Sequence, residues 1–338
     1  MKRYGNIFDK VIEMENLRLA HKKAKKGKGH YREVKMVNKN VDYYLKEIQQ
    51  SLINKTYTTS EYEVYTIRDS GKEREIHKLP YYPDRIVQWA LMLQIEPIFI
   101  KTFIYDTYAA IPNRGMHLAL KRLHKSMKDR EGTQYCLKFD IKKFFPSIDT
   151  EILKQLIRRK FKDKDVLWLL DDIIDSTNGQ GVPIGNYTSQ YFGNFYLTYF
   201  DHWMKEEKKC RHYFRYMDDI VVLHHSKEYL HELRKEIEDY LHGNLRLSLK
   251  ENWQVFPTYV RGVDFVGYRS FGDYTLLRKS TAKKMKRKMR VISKRGYFKE
   301  TDLNSMMSYK GWLEHCDAYN LESKYITPLL RRFKDEVS

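Results

Sequence analysis

The chain has 338 residues, 42% of them hydrophobic, and 63 Lys and Arg stand against 44 Asp and Glu, a formal net charge of +19. That length supports a sizeable core in roughly two to three folding units. The basic excess points to a polyanionic partner, because each phosphate neutralised releases condensed counterions; the plainer alternative is a soluble basic protein.

Cys136, Cys210 and Cys316 lie far apart, which argues against a disulfide framework or a zinc site and fits a reducing cytoplasm. No run approaches the ~18 apolar residues of a membrane span. The N-terminus has no apolar h-region, so no signal peptide is expected. The 27 Tyr and 16 Phe could stack on bases, although most belong to an ordinary core and surface.

Residues 1–60 read as helical, with Gly27 and Gly29 breaking the pattern. The stretch 21–35 (HKKAKKGKGHYREVK) holds Glu33 as its one acid. It is either a solvated loop or a nucleic-acid-binding arm, with Lys25, Lys26 and Arg32 as candidate contacts. Residues 61–78 predict two strands around the turn Asp69-Ser70-Gly71. A helix over DRIVQWALMLQIEPIFIK follows and ends near Pro97. Residues 135–141 (YCLKFDI) alternate, with Leu137, Phe139 and Ile141 on one face and Lys138 and Asp140 on the other, as in a half-buried strand. Residues 150–175 read as helical, and the loop NGQGVPIGN leads into another helix. HYFRYMDDIVVLHH predicts a β-hairpin turning at its acidic pair. Residues 227–242 predict a helix and 244–270 more strands. The last 60 or so residues are helical and basic. Ala282, Met285, Met289 and Ile292 form one apolar stripe there, and the opposite face offers Lys283, Lys286, Arg287 and Arg290 to nucleic acid.

The strongest chemical signal is Tyr216-Met217-Asp218-Asp219 between two apolar strands. Adjacent carboxylates repel at a hairpin tip and are poor strand formers, so a bound cation explains them better than a plain polar turn does. Asp140 ends a strand expected beside that hairpin, so three carboxylates converge on one sheet edge. Such hard oxygen ligands favour Mg²⁺, and two ions can clamp the attacking and leaving oxygens of a phosphoryl displacement. Asp171-Asp172 lie on a helix and read as surface.

These residues bring a family into view. From about Asn16 to Asn320 the chain resembles reverse transcriptases, and more narrowly those of diversity-generating retroelements, relatives of the group II intron enzymes. REIHKLPYYPDRIVQWALMLQIEPIF is similar to the first family block, with Arg74 and Lys78 as basic residues of the fingers. TYAAIPNRGMHLAL is similar to the second, with Arg114 facing the nucleotide triphosphate. LKFDIKKFFPSID is similar to the block of the first metal-binding Asp, here Asp140. Phe145 matches the position whose ring excludes the ribose 2′-hydroxyl. RYMDDIVVL matches the block of Asp218 and Asp219. VRGVDFVGYRSF resembles the primer-contacting hairpin, and RKSTAKKMKRKMR with SYKGWLEHCDAYNL the helical thumb. In GVPIGNYTSQYFGNFYL, Ile184 follows Pro183 where many relatives have Gln, and Ser189-Gln190 ends the block. That form resembles the diversity-generating group, whose enzymes copy a template repeat with errors at adenines.

The resemblance implies an α+β right-hand polymerase fold. A basic helical extension occupies residues 1–60, fingers and palm 61–274, and a helical thumb 275–338. It implies RNA-directed DNA polymerase activity with Asp140, Asp218 and Asp219 catalytic, and Asp140, Ile141, Asp218 and Asp219 as metal ligands. Two Mg²⁺ ions are implied, with Mn²⁺ as a substitute. Arg74, Lys78, Arg114, Phe145, Ile184 and Gly185 are implied at the nucleotide. Partners would be template RNA, the RNA/cDNA duplex, dNTPs and a small basic accessory protein, in a bacterial or phage setting without a membrane. Trp253 stands where a related pattern often has a Lys that protonates pyrophosphate; Lys250 is a possible substitute. No room is expected for an RNase H, endonuclease or separate DNA-binding domain. Alternatives are a retron-like, group II-derived or phage-defence enzyme, or an RNA-binding scaffold without activity.

Overall fold

The computed structural model describes residues 2–69, 71–177 and 181–337. It is α+β, with antiparallel sheets and helices, as expected of a right-hand polymerase. The chain groups into two compact units. One gathers Met1–Tyr105, Ile141–Lys209 and Ile237–Lys250; the other gathers Asp106–Asp140, Cys210–Glu236 and Glu251–Ser338.

The first unit opens with the helices Phe8–Ile12, Met14–Ala24, Arg32–Lys39 and Val41–Ile53. The helical pattern breaks after Ala24, and Gly27 takes a left-handed φ of 72°. Strands β1 (Glu63–Asp69) and β2 (Lys72–Lys78) pair antiparallel from Glu63↔Lys78 to Asp69↔Lys72. Ser70 of the expected turn, and residues 178–180 of the Gly/Pro-rich loop, lie outside the described residues.

Two helix boundaries differ from the sequence pattern. Helix Ile86–Ile100 carries Pro97 inside its last turn instead of ending there. Near a helix end the ring removes a single donor, and Lys101 N still bonds to the Pro97 carbonyl at 3.2 Å. The run 150–175 is two helices, Thr150–Arg158 and Lys164–Asp175. Each starts on its own Asp cap. Asp149 accepts from Ile152 N, and Asp163 Oδ1 accepts from Asp165 N and Val166 N. Asp163 Oδ2 also accepts from Ile7 N and Phe8 N at 2.6 and 3.1 Å, so one carboxylate serves two helix starts.

In the second unit, β3 (Tyr135–Asp140), β4 (His212–Tyr216), β5 (Asp219–His224) and β6 (Gln254–Pro257) form one sheet in the order β4-β5-β3-β6. Leu137 and Phe139 are buried as their alternation predicted. Cys136, on the opposite face, is buried too, packed with Ala119, Leu123, Phe214, Val221, Phe256 and Val263. On that face half-exposure is therefore confined to Lys138 and Asp140. The stretch 244–270 is less strand-rich than its pattern suggests. Helix Lys227–Leu245 runs past residue 242, and a short helix, Thr258–Arg261, intervenes.

A second antiparallel sheet follows, from β7 (Val263–Phe265), β8 (Tyr268–Ser270) and β9 (Thr275–Leu277). Helices Lys279–Arg295, Glu300–Leu313, Tyr319–Tyr325 and Thr327–Val337 complete the unit. The predicted stripe is the buried one: Met285, Met289 and Ile292 pack on Met306, Leu313, Ile326 and Leu329, with Ala282 partly buried beside them. Among the described residues no helix is long and apolar enough to cross a membrane.

Candidate active site

Asp140 ends β3 and Asp219 begins β5, and the two are directly paired across the sheet. Tyr216, the last residue of β4, pairs with Asp219 as well. The hairpin turn is therefore Met217-Asp218, one residue earlier than a turn at the acidic pair. Met217 sits at φ 57°, a left-handed conformation that costs a non-glycine residue about 1 kcal/mol. Its carbonyl accepts a hydrogen bond from Arg215 Nη1 at 3.1 Å, and Arg215 is fully buried. Arg215's own backbone donates to the Asp106 carbonyl and accepts from Tyr108 N. Arg215 is not among the residues expected at the site, although a cation between Phe214 and Tyr216 in an apolar strand is a usable signal.

Asp219 is the strained electrostatic centre. Burial pushes its carboxyl up to about 6; Lys138 opposes that, the facing Asp140 adds to it, and Arg278 opposes it more weakly. Lys138 projects from the same face of β3 as Asp140, and its Nζ lies 3.0 Å from Asp219 Oδ1. The ammonium also donates to the backbone carbonyl of Asp264 on β7. The Asp264 carboxylate accepts in turn from Arg278 Nε at 2.7 Å. None of Lys138, Asp264 and Arg278 was singled out from sequence, although Lys138 stands two residues before Asp140 and so had to share its face.

The donors suit a hard divalent cation: they are carboxylate oxygens, and Asp219 Oδ1 is closed to water with no aligned hydrogen-bond donor. As they stand, no three His, Cys, Asp or Glu side chains among the described residues are grouped closely enough to hold a metal. The sheet brings the acidic backbones to one edge, while the Asp219 side chain is drawn to Lys138.

The expected nucleotide-contacting residues fall in both units. In the first unit, His77 N of β2 donates to the Ile184 carbonyl at 2.9 Å. Gly185, at φ 132°, lies so close that a Cβ there would come within 2.7 Å of the His77 carbonyl. The Phe145 carbonyl accepts from Val182 N at 2.9 Å. Backbone bonds thus tie Phe145 and Ile184 to one loop and tie that loop to β2. Arg74 is exposed on β2, and Lys78 is ion-paired with Glu63 at 2.7 Å. Ile141, expected among the metal ligands, is fully buried and bridges to Leu249 in this unit. Arg114 lies in the second unit, where its Nη1 donates to the Thr107 carbonyl at 3.3 Å.

Lys26 and Arg32 are exposed, whereas Lys25 is half-buried and donates to Asn38 Oδ1. Lys283 and Arg287 are exposed, while Lys286 and Arg290 lie near the Tyr325 ring. Trp253 is engaged by the Arg234 guanidinium over its ring and by the edge of His231. The surface reading of Asp171-Asp172 needs correction at Asp172. It accepts from Thr59 N and Oγ1 at 2.9 and 2.6 Å, and burial raises its pKa.

Several known proteins resemble the chain. Protein YkfC of Escherichia coli (strain K12) is 25% identical over 249 residues, 61% of this chain and 65% of YkfC. Group II intron-encoded protein LtrA of Lactococcus lactis subsp. cremoris is 25% identical over 229 residues, 63% of this chain and 37% of LtrA. The chain thus spans less than two thirds of either relative. Retron Ec73 reverse transcriptase of Escherichia coli is 25% identical over 293 residues, 80% of this chain and 87% of that protein. A solved structure of telomerase from Candida albicans with a fragment of telomeric RNA aligns at a TM-score of 0.49 and 11% identity, covering 73% of this chain and 55% of that one. Residues 53–270, well over half of the chain and including all three candidate aspartates, match the profile of one family, so the chain belongs to the reverse transcriptase (RNA-dependent DNA polymerase) family.

Proposed function

We propose that the chain is an RNA-directed DNA polymerase that copies an RNA template into cDNA, with Asp140, Asp218 and Asp219 as the carboxylates of its nucleotidyl-transfer site. The observation that carries this reading is the cross-strand pair Asp140–Asp219 beside the Met217-Asp218 turn, in a chain of this family. The three carboxylates are the residues that would hold two Mg²⁺ ions, or Mn²⁺ in their stead. Bound there, the ions would acidify a primer 3′-hydroxyl and neutralise departing pyrophosphate. Lys138 and Arg278 help keep Asp219 ionised against its burial. The Phe145 ring excludes a ribose 2′-hydroxyl by overlap. Arg74, Lys78 and Arg114 neutralise triphosphate charge, and Ile184 and Gly185 line the nucleotide. Lys25, Lys26 and Arg32, with Lys283, Lys286, Arg287 and Arg290, hold template and duplex backbones. Residues 61–274 serve as fingers and palm, and 275–338 as thumb. Primer extension on an RNA template by the purified chain with Mg²⁺ tests the reading, with Asp218→Ala as control. Equal incorporation by both proteins would sink it.

Within that activity we read the chain as the error-prone enzyme of a diversity-generating retroelement, working with a small basic accessory protein. Ile184 and the Ser189-Gln190 ending support this. A Gln amide at position 184 could hydrogen-bond the incoming nucleotide and check its placement, whereas Ile has no such group. The 87% coverage of the retron Ec73 enzyme favours a second reading, a compact retron-like polymerase. Sequencing the cDNA separates the two. Errors concentrated at template adenines support the first, and uniform fidelity supports the second.

A further inference from the structure

Phe145 lies in the one-turn helix Phe144–Ser147. Its carbonyl accepts from Ile148 N at 3.4 Å and from Val182 N at 2.9 Å. The second bond comes from the loop that carries Ile184, and the residue before Val182 is Gly181. Gly181 is buried, with a left-handed φ of 63°. A Cβ on it would stand 2.6 Å from the carbonyl oxygens of both Phe145 and Pro146. Those are backbone atoms, which cannot swing aside as the end of a flexible side chain can. On its own carbonyl, Gly181 accepts from Thr177 Oγ1 at 3.0 Å. The loop is tied again farther along, where the Ile184 carbonyl accepts from His77 N at 2.9 Å. The missing side chain at 181 therefore sets how closely this loop lies against the turn of Phe145.

We propose that Gly181 is a positioning residue for sugar selection: it lets the Phe145 turn close on the loop of Ile184 and so fixes how narrow the space for the incoming ribose is. The inference rests on the reading of Phe145 given above, as the ring that excludes a 2′-hydroxyl. Exclusion by overlap depends on placement at the scale of a fraction of an ångström, and small displacements of a positioned group change rates greatly. A methyl group at 181 collides with two backbone carbonyls and wedges the turn and the loop apart. Both segments are assigned to the nucleotide, so the space between them widens, and the bulkier ribonucleotide gains more than the deoxyribonucleotide.

The test is single-nucleotide incorporation by the full chain, with dCTP and CTP compared opposite a template guanine. Gly181→Ala is expected to lower the dCTP-to-CTP ratio of kcat/KM by about fivefold or more. Gly181→Asn carries the same Cβ on a residue that tolerates the left-handed region better, and it replaces the Ala protein should that fail to fold by circular dichroism. Gly296→Ala controls for backbone strain alone: its φ is 78°, nothing lies within 4 Å of an added Cβ, and the parental ratio is expected. Because Gly181 acts through the ring, adding Gly181→Ala to Phe145→Ala is expected to lower the ratio no further. A parental ratio in a folded Gly181 variant, with the ratio still lowered in Phe145→Ala, would overturn the role of Gly181 alone. So would effects of the two substitutions that multiply, or an equal loss in Gly296→Ala. If Phe145→Ala itself keeps the parental ratio, the reading of Phe145 falls and this inference falls with it.

Discussion

The buried guanidinium of Arg215 donates from Nη1 to the carbonyl of Met217, 3.1 Å away, in the turn that carries Asp218. The bond secures a left-handed Met217 that its own backbone preference disfavours. Replacing Arg215 by Met leaves that carbonyl without the donor inside an apolar strand pair. The expected cost is about 2–4 kcal/mol of unfolding free energy, read by urea denaturation. Primer extension should fall at least about tenfold even at temperatures where the variant is fully folded. Parental stability and parental extension together would show that the turn does not depend on this contact.

Asp219 carries the pH dependence of the site. Its folded-state pKa of about 6 lies above the ordinary 3.8, so the fold disfavours its charged form. The stability penalty is fully present above pH 6 and disappears as pH falls toward the ordinary value. Cation binding needs the charged form and must displace a proton below pH 6. The apparent Mg²⁺ affinity should therefore weaken by up to about tenfold per pH unit below 6 and level off above 7. Competition against Mn²⁺ followed by electron paramagnetic resonance measures this, and a flat profile from pH 5 to 8 would count against it.

Phe145 gives a selectivity prediction. Truncation to Ala removes the ring assigned to exclude the 2′-hydroxyl. The preference for dNTP over rNTP, measured as a ratio of kcat/KM in single-nucleotide incorporation, should drop by about 10- to 100-fold. Incorporation of dNTP should fall much less. Loss of both in parallel would mean that the ring is merely a packing residue.

Asp163 gives a stability prediction far from the chemistry. Burial alone would raise its pKa, but backbone N–H groups of Ile7, Phe8, Val166 and Asp165 together hold it below the usual carboxylate range. Asp163→Ala removes two helix caps at once and should cost about 1–3 kcal/mol at pH 7. A depressed pKa contributes stability that is present above the ordinary carboxylate value and lost as pH falls through the lower folded one. The difference in melting temperature between Ala variant and parent should thus shrink in acid. A constant difference from pH 7 to pH 2 would rule out the charged cap as its source.

Much of this protein was legible in the order of its residues. The alternation of YCLKFDI placed Lys138 and Asp140 on one face of β3. The three- and four-residue spacing of Ala282, Met285, Met289 and Ile292 marked the buried stripe of a basic helix. Acidic residues at a hairpin tip, with a third at the end of a neighbouring strand, indicated where chemistry is concentrated. Such features depend on residues within a few positions of one another, where 2.0- and 3.6-residue periods decide which side chains share a face.

What the tertiary structure alone decided are the partners. Lys138 meets the carbonyl of Asp264 across 126 positions, and Asp172 meets Thr59 across 113. Asp163 reaches back 156 positions to cap the first helix through Ile7. No local period encodes such meetings. They follow from sheet order and register, which are set by how the whole apolar surface is buried, and a one-residue slip in β3 would turn Lys138 and Asp140 to the opposite face. The sequence alone determined that carboxylates gather at this edge, and the fold decided that Asp219 faces Lys138.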